Sequence, residues 1–398
     1  MQLRISLVLM LLLSVTASYG SGQAAATARN QRQTALDLEQ KGNFADAESV
    51  WRLYLKAHSG NPEPYAHLGI LEARKEHYKE AAQFYRKALA LNPSVPGLRL
   101  DLGLALFKGG ELKQAIQEFT PLLKKAQPAT AEAQRLTILI GMAHYGLGEY
   151  TDAVPFLRGA SGGDSQNLQL LLALAHSCMW SKQYQCVMDT YHQILTLNAE
   201  SAEADMLAGE ALDELHDHDG AIQQFRAAVQ ANPKEPDAHF GLGYLLWTQR
   251  KYTEAASEFQ AELGNDPNHA QAMTYLADTN LQLVHPETAA PLLKKAIGID
   301  PKLELAHLDL GIVYADQGQQ TDALRELQQA ERMDPKDVNT HWRLGQLYRS
   351  MGKKDEAKIE FDKARQINLD TDTAVINKMN NTHSKPAKDF HPDAKGIQ

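Results

Sequence analysis

Cysteine is nearly absent from this chain: only Cys178 and Cys186 are present in 398 residues, too few for disulfides to be its structural framework. A surplus of positive charge is also lacking. With a formal net charge of −9 and an isoelectric point near 5.9, there is no electrostatic basis for gripping nucleic acid or anionic lipid, and neutral or basic partners are favoured. Beyond the first residues no stretch is continuously apolar, so no later segment reads as a membrane-spanning helix. The motifs of metalloprotease, P-loop, dinucleotide and serine-hydrolase chemistry are missing as well. The chain is therefore expected to be non-enzymatic, with no catalytic residue, no cofactor and no metal.

What is present begins with an export signal. Arg4 supplies a positive start, Ile5 to Val15 form an apolar run interrupted only by Ser6 and Ser14, and Ser18 and Gly20 fit cleavage after Gly20. The run is too short for a spanning helix, which needs roughly 20 apolar residues. Residues 1–20 are expected to be a signal peptide and 21–27 a linker, with a periplasmic or extracellular destination; an uncleaved N-terminal anchor is the alternative.

Internal repetition dominates the rest. Alanines that follow a short turn recur as Ala47, Ala81, Ala115, Ala153, then Val187 in place of alanine, Ala221, Ala255, Ala289, Ala323 and Ala357, each step 34 residues except one of 38. A second small residue stands twelve positions earlier in every repeat, from Ala35, Gly69 and Gly103 to Gly311 and Gly345. Small residues so placed let the two helices of a hairpin cross closely. Leu68, Leu71, Phe84 and Ala88, like Leu242, Leu245, Phe259 and Leu263, follow helical spacing. Several repeats end in Asn or Asp followed by proline, as at Asn92-Pro93, Asn232-Pro233, Asp266-Pro267, Asp300-Pro301 and Asp334-Pro335, where proline stops one helix and another can begin.

On these residues the chain resembles the tetratricopeptide repeat family, a bacterial exported type, with small residues at the eighth and twentieth positions and proline at the thirty-second. The resemblance implies an all-α fold, a right-handed superhelical solenoid of about ten helix-turn-helix repeats spanning 28–61, 62–95, 96–133, 134–167, 168–201, 202–235, 236–269, 270–303, 304–337 and 338–371. Val187 and the insertion from Gln127 to Ala133 depart from the pattern, and local stacking there is expected to differ. Residues 372–380 are expected to form a short capping helix and 381–398 a disordered tail.

In that family the first helix of each pair lines the concave surface. Carrying its groove positions over gives Met179, Trp180, Met206, Phe240, Tyr244, Trp247 and Tyr275, with carboxylates at Glu210, Asp213 and Asp278 and further ones at Glu203, Glu214 and Asp237. No lysine or arginine falls in this set. It is expected to bind a protein or peptide segment, apolar with basic flanks, the carboxylates guiding encounter more than adding affinity; packing between neighbouring first helices is the alternative use of the same side chains. A substrate-positioning subunit of an envelope enzyme complex is the second functional reading. Neither a basic clamp for a terminal carboxylate nor an asparagine ladder is present.

Two constellations stay open on sequence. His216-Asp217-His218-Asp219 has alternating metal-ligand types but falls at an inter-helix turn, where polar residues are expected anyway. Cys178 and Cys186, eight residues apart, either pair across one hairpin or serve as two small buried side chains.

Overall fold

A computed structural model describes residues 29–162, 166–198 and 200–383. The expected signal peptide, the linker and residues 384–398 of the expected tail lie outside the described residues. Twenty helices pair into ten antiparallel hairpins: α1 (29–40) with α2 (Phe44–Ala57), α3 (Pro62–Arg74) with α4 (Tyr78–Leu91), α5 (Leu98–Lys108) with α6 (Leu112–Lys125), α7 (Ala131–Gly146) with α8 (Tyr150–Ser161), and α9 (Leu168–Trp180) with α10 (Tyr184–Leu197). The series continues with α11 (Ala202–Glu214) and α12 (His218–Ala231), α13 (Ala238–Thr248) and α14 (Tyr252–Asn265), α15 (Ala270–Gln282) and α16 (Pro286–Ile299), α17 (Glu304–Asp316) and α18 (Gln320–Met333), and α19 (Val338–Ser350) and α20 (Lys354–His383). Two compact halves result, repeats one to five and six to ten, divided at Ala199 and Glu200. Among the described residues no helix is long and apolar enough to cross a membrane.

One device closes every hairpin. The fifteenth residue of each repeat has positive φ: Gly42, Glu76, Gly110, Gly148, Lys182, His216, Arg250, Val284, Gly318 and Gly352. The next amide reaches back to the carbonyl five residues earlier, as in Asn43 to Leu38, Glu111 to Leu106, Lys251 to Leu246 and Lys353 to Tyr348. This is the Schellman ending, which satisfies carbonyls the helix leaves open and prefers glycine at the left-handed site. Between repeats the Asx-Pro pairs act similarly. The Asp300 carboxylate accepts from the Lys302 amide at 2.9 Å and that of Asp334 from Lys336 at 2.9 Å, so the side chain bridges the proline that cannot donate.

The signature glycine works differently from the simple crossing of small residues. A Cβ on Gly243 would lie 2.8 Å from the ring of Phe259, and one on Gly345 2.6 Å from that of Phe361. The eighth position is thus the seat for a large side chain at the twenty-fourth. Each half then builds its core as a chain of local clusters, one running from Ala81 through Phe119 to Ile140, another from Ala277 through Leu327 to Leu347. A repeat buries its apolar face only with its neighbours.

Two sequence expectations are replaced by what the fold shows, and one choice left open by the sequence is decided. Residues 372–380 are no separate capping helix; they continue α20, which has neither glycine nor proline between Lys354 and His383 to end it. For the same reason residues 381–383 of the expected tail are helical. Cys178 and Cys186, at the end of α9 and the start of α10, are not free thiols but a disulfide with Cα atoms 5.8 Å apart, within the span a disulfide tolerates.

Candidate peptide-binding face

In the C-terminal half, α13 and α15 bring four of the expected residues together. Tyr275 of α15 stands edge-on to Tyr244 and Trp247 of α13, with ring centroids 5.4 and 5.1 Å away. Phe240 lies 5.9 Å from Tyr275 and 6.0 Å from Phe259, which forms the floor beneath them. Spacings and tilts of this kind are those aromatic pairs prefer. All four rings, with Met206 of α11, are half-buried and pack onto the core around Leu242 and Phe259. Each therefore serves both packing and surface, and only the outer edges are open to a ligand.

The carboxylates divide by role. Asp278 is buried; the Trp247 indole donates to it at 2.5 Å and the Gln282 amide at 3.3 Å. It positions Trp247 and is not itself presented to solvent. Asp213 is half-exposed and holds His218 at 2.8 Å, while Glu210 is half-exposed on the same helix, α11. Burial and the neighbouring Tyr244, Asp278 and Glu304 push the Tyr275 hydroxyl up to about 12, so it stays a neutral hydrogen-bonding group.

Met179 and Trp180 belong to the N-terminal half and form their own surface. Trp180 is 68% exposed and stacks on Tyr150 at 6.1 Å. Tyr150 in turn lies 6.0 Å from Tyr145. Met179 beside them is half-buried.

Two features were invisible to sequence reasoning. Glu262 replaces the small residue usual at its position; at 2% exposure it accepts from the amides of Asp237 at 3.3 Å and Phe240 at 3.1 Å, capping α13 beneath the aromatic cluster. Further along, Asp309 on α17 is 3% exposed. Burial, with Asp278 and Glu304 near, pushes its carboxyl well above the usual range against the opposing pull of Arg343.

Two clusters of metal-ligand type, Asp237 with Glu262 and His269, and Glu331 with His341 and Glu360, are otherwise engaged. His269 donates through Nε2 to Asp237 at 2.8 Å while its Nδ1 accepts the Ala272 amide at 3.1 Å, so neither nitrogen offers a lone pair. Between Glu331 and Glu360 the Lys363 ammonium lies 2.9 Å from both. In the turn segment, Asp217 caps α12 through the Gly220 amide and His216 occupies the left-handed turn position.

Family models described as tetratricopeptide repeat match residues 32–96, 189–236, 206–270 and 240–304, with further ones over 72–137, 313–352 and 338–371. Together they span most of the ten hairpins. The chain belongs to the tetratricopeptide repeat family. The segment 138–188, which holds Val187, lies outside these spans. This repeat protein is similar to the BBSome complex member BBS4 of Bos taurus, 23% identical over 76% of this chain and 58% of that protein. It is also similar to the Protein CTR9 homolog of Arabidopsis thaliana, 22% identical over 72% of this chain and 27% of that one. It thus spans less than two thirds of either. Among solved structures it is similar to YrrB, described as a TPR protein with an unusual peptide-binding site, at 21% identity over 48% of this chain and 97% of the other with a TM-score of 0.39. A tetratricopeptide repeat protein from Parabacteroides merdae gives 18%, 67%, 97% and 0.46 in the same order.

Proposed function

We propose that this tetratricopeptide repeat protein is a non-enzymatic scaffold of the cell envelope that holds apolar, basic-flanked segments of other proteins on its first-helix faces. The observation that carries the reading is the aromatic group of Phe240, Tyr244, Trp247 and Tyr275, whose outer edges share α13 and α15. Glu210 and Asp213 on α11, in the same half, supply negative charge, and the nearby Asp278 fixes Trp247. Aromatic edges on a rigid floor give a ligand area at low entropic cost, and surrounding carboxylates select cationic flanks. Exposed Trp180 on Tyr150 offers the N-terminal half a second apolar contact.

Placement in the envelope rests on two features. Residues 1–20 have the order of an export signal, and the buried Cys178–Cys186 disulfide belongs in an oxidising compartment.

Proximity crosslinking from the native envelope fraction tests both parts. Wild type is compared with a Tyr244→Ala, Trp247→Ala double variant and with Trp180→Ala, helicity being checked by circular dichroism. Capture of a protein by wild type that the double variant loses supports the C-terminal face. Equal capture by all three places binding elsewhere. Alkylation of the denatured protein without reductant should label no cysteine; labelling of both would overturn the oxidising compartment.

A further inference from the structure

The last hairpin carries a groove on its α19–α20 face. In repeat nine the corresponding fifth and twenty-fourth positions, Leu308 and Leu327, are buried in one cluster with Leu344 and Leu347 of α19. In repeat ten those positions are Trp342 and Phe361. Trp342 is 50% exposed, and Leu369 one helical face further along α20 is 52% exposed. Both line a groove of about 700 Å³ with Phe361 and Ala364 as its floor. Because α20 continues as one helix to His383, no following hairpin lies on this face among the described residues.

The rim of the groove carries one charge of each sign. Asp362 and Arg365 both border it, both are exposed, and neither takes part in an ion pair among the described residues. They stand three residues apart on α20. A two-fold contact sets a patch against itself, so it needs a patch complementary to its own image. When two α20 helices approach antiparallel about such an axis, Asp362 of each copy meets Arg365 of the other, and the apolar groove between is closed by Trp342 and Leu369 from both sides.

We infer that the α19–α20 face is a homodimer interface, its occupant a second copy of this chain. An exposed apolar groove of this kind, rimmed by unpaired opposite charges, is the pattern of an interface and not of ordinary surface. The inference is independent of the peptide-binding reading, which concerns α11, α13 and α15 and the Trp180–Tyr150 contact of α9 and α8.

Sedimentation equilibrium of the full chain tests it by charge exchange. Wild type should form dimers as concentration rises. Asp362→Arg places two arginines against their images and Arg365→Asp two aspartates, so each variant alone should remain monomeric. Mixed in equal amounts the two should form a heterodimer, because every contact then joins Arg to Asp; this rescue also shows that both variants are folded. A wild type that stays monomeric at every concentration overturns the inference, as does a dimer that neither substitution weakens. If wild type is monomeric and deletion of residues 384–398 makes it dimerise, the chain's own C-terminal segment fills the groove and the second copy is excluded as its occupant.

Discussion

His307 of α17 and Glu326 of α18 meet at 2.7 Å across their hairpin, both almost fully buried. The same fourth and twenty-third repeat positions join His239 to Glu258 at 2.6 Å, His341 to Glu360 at 2.7 Å and Arg99 to Glu118 at 2.7 Å. In repeat eight they hold Met273 and Leu292, two apolar residues. The hairpin thus accepts either a polar pair or an apolar one. Removing the histidine strands the inner Oε2 of Glu326, while Arg325 still donates to Oε1 at 3.0 Å; breaking a buried pair costs about 3 kcal/mol, whereas replacing both members is close to neutral. His307→Met alone should lower the urea midpoint strongly, and His307→Met with Glu326→Leu should recover most of the loss. A double variant as unstable as the single would show that the pair is held by something beyond mutual compensation.

Much of the hairpin architecture could be read from the 34-residue period, because the small residues, the apolar spacing and the Asx-Pro ends each reflect local packing that repeats with the chain. What escaped was the content of single positions. Glu262 stands where most repeats have a small or apolar residue, and only the placement of the Asp237 and Phe240 amides explains a carboxylate there. The groove positions located Tyr244, Trp247 and Tyr275 together, yet could not tell that their rings lean on one another and leave only edges exposed. Asp278 was expected as an open carboxylate; its depth depends on Trp247, 31 residues away in sequence.

Asp309 gives the C-terminal half a definite response to pH. Its Oδ2 and the Nε of Arg343 have no hydrogen-bond partner among the described residues, and burial with Asp278 and Glu304 raises its native pKa. The native state therefore holds this proton to higher pH than the unfolded chain does. The associated stability is fully present below the ordinary aspartate range and is lost as pH rises through the elevated native value. Asp309→Asn keeps the shape and removes the titration. The urea midpoint of the variant should match wild type in acid and exceed it near neutrality, with the difference growing across that window. Parallel curves for the two proteins would mean that Asp309 ionises natively as easily as in the unfolded chain.

Val284 occupies the left-handed turn position of repeat eight with φ of 65° and is 79% exposed. A β-branched residue is the least suited to that conformation, since its Cβ substituents crowd the backbone. The position tolerates it because the His285 amide still reaches the Asn280 carbonyl at 2.8 Å, completing the helix ending that glycine completes elsewhere. The left-handed conformation costs a residue with a Cβ about 1–2 kcal/mol, and glycine returns up to about 1 kcal/mol of that through its freer unfolded state. Val284→Gly should therefore stabilise the hairpin of α15 and α16 by about 0.5–1 kcal/mol, slowing amide exchange in both helices. The reverse change at the equivalent site, Gly318→Val, should destabilise the next hairpin by a similar amount. Faster exchange in the Val284→Gly protein would show that valine makes a contact worth more than the strain it bears.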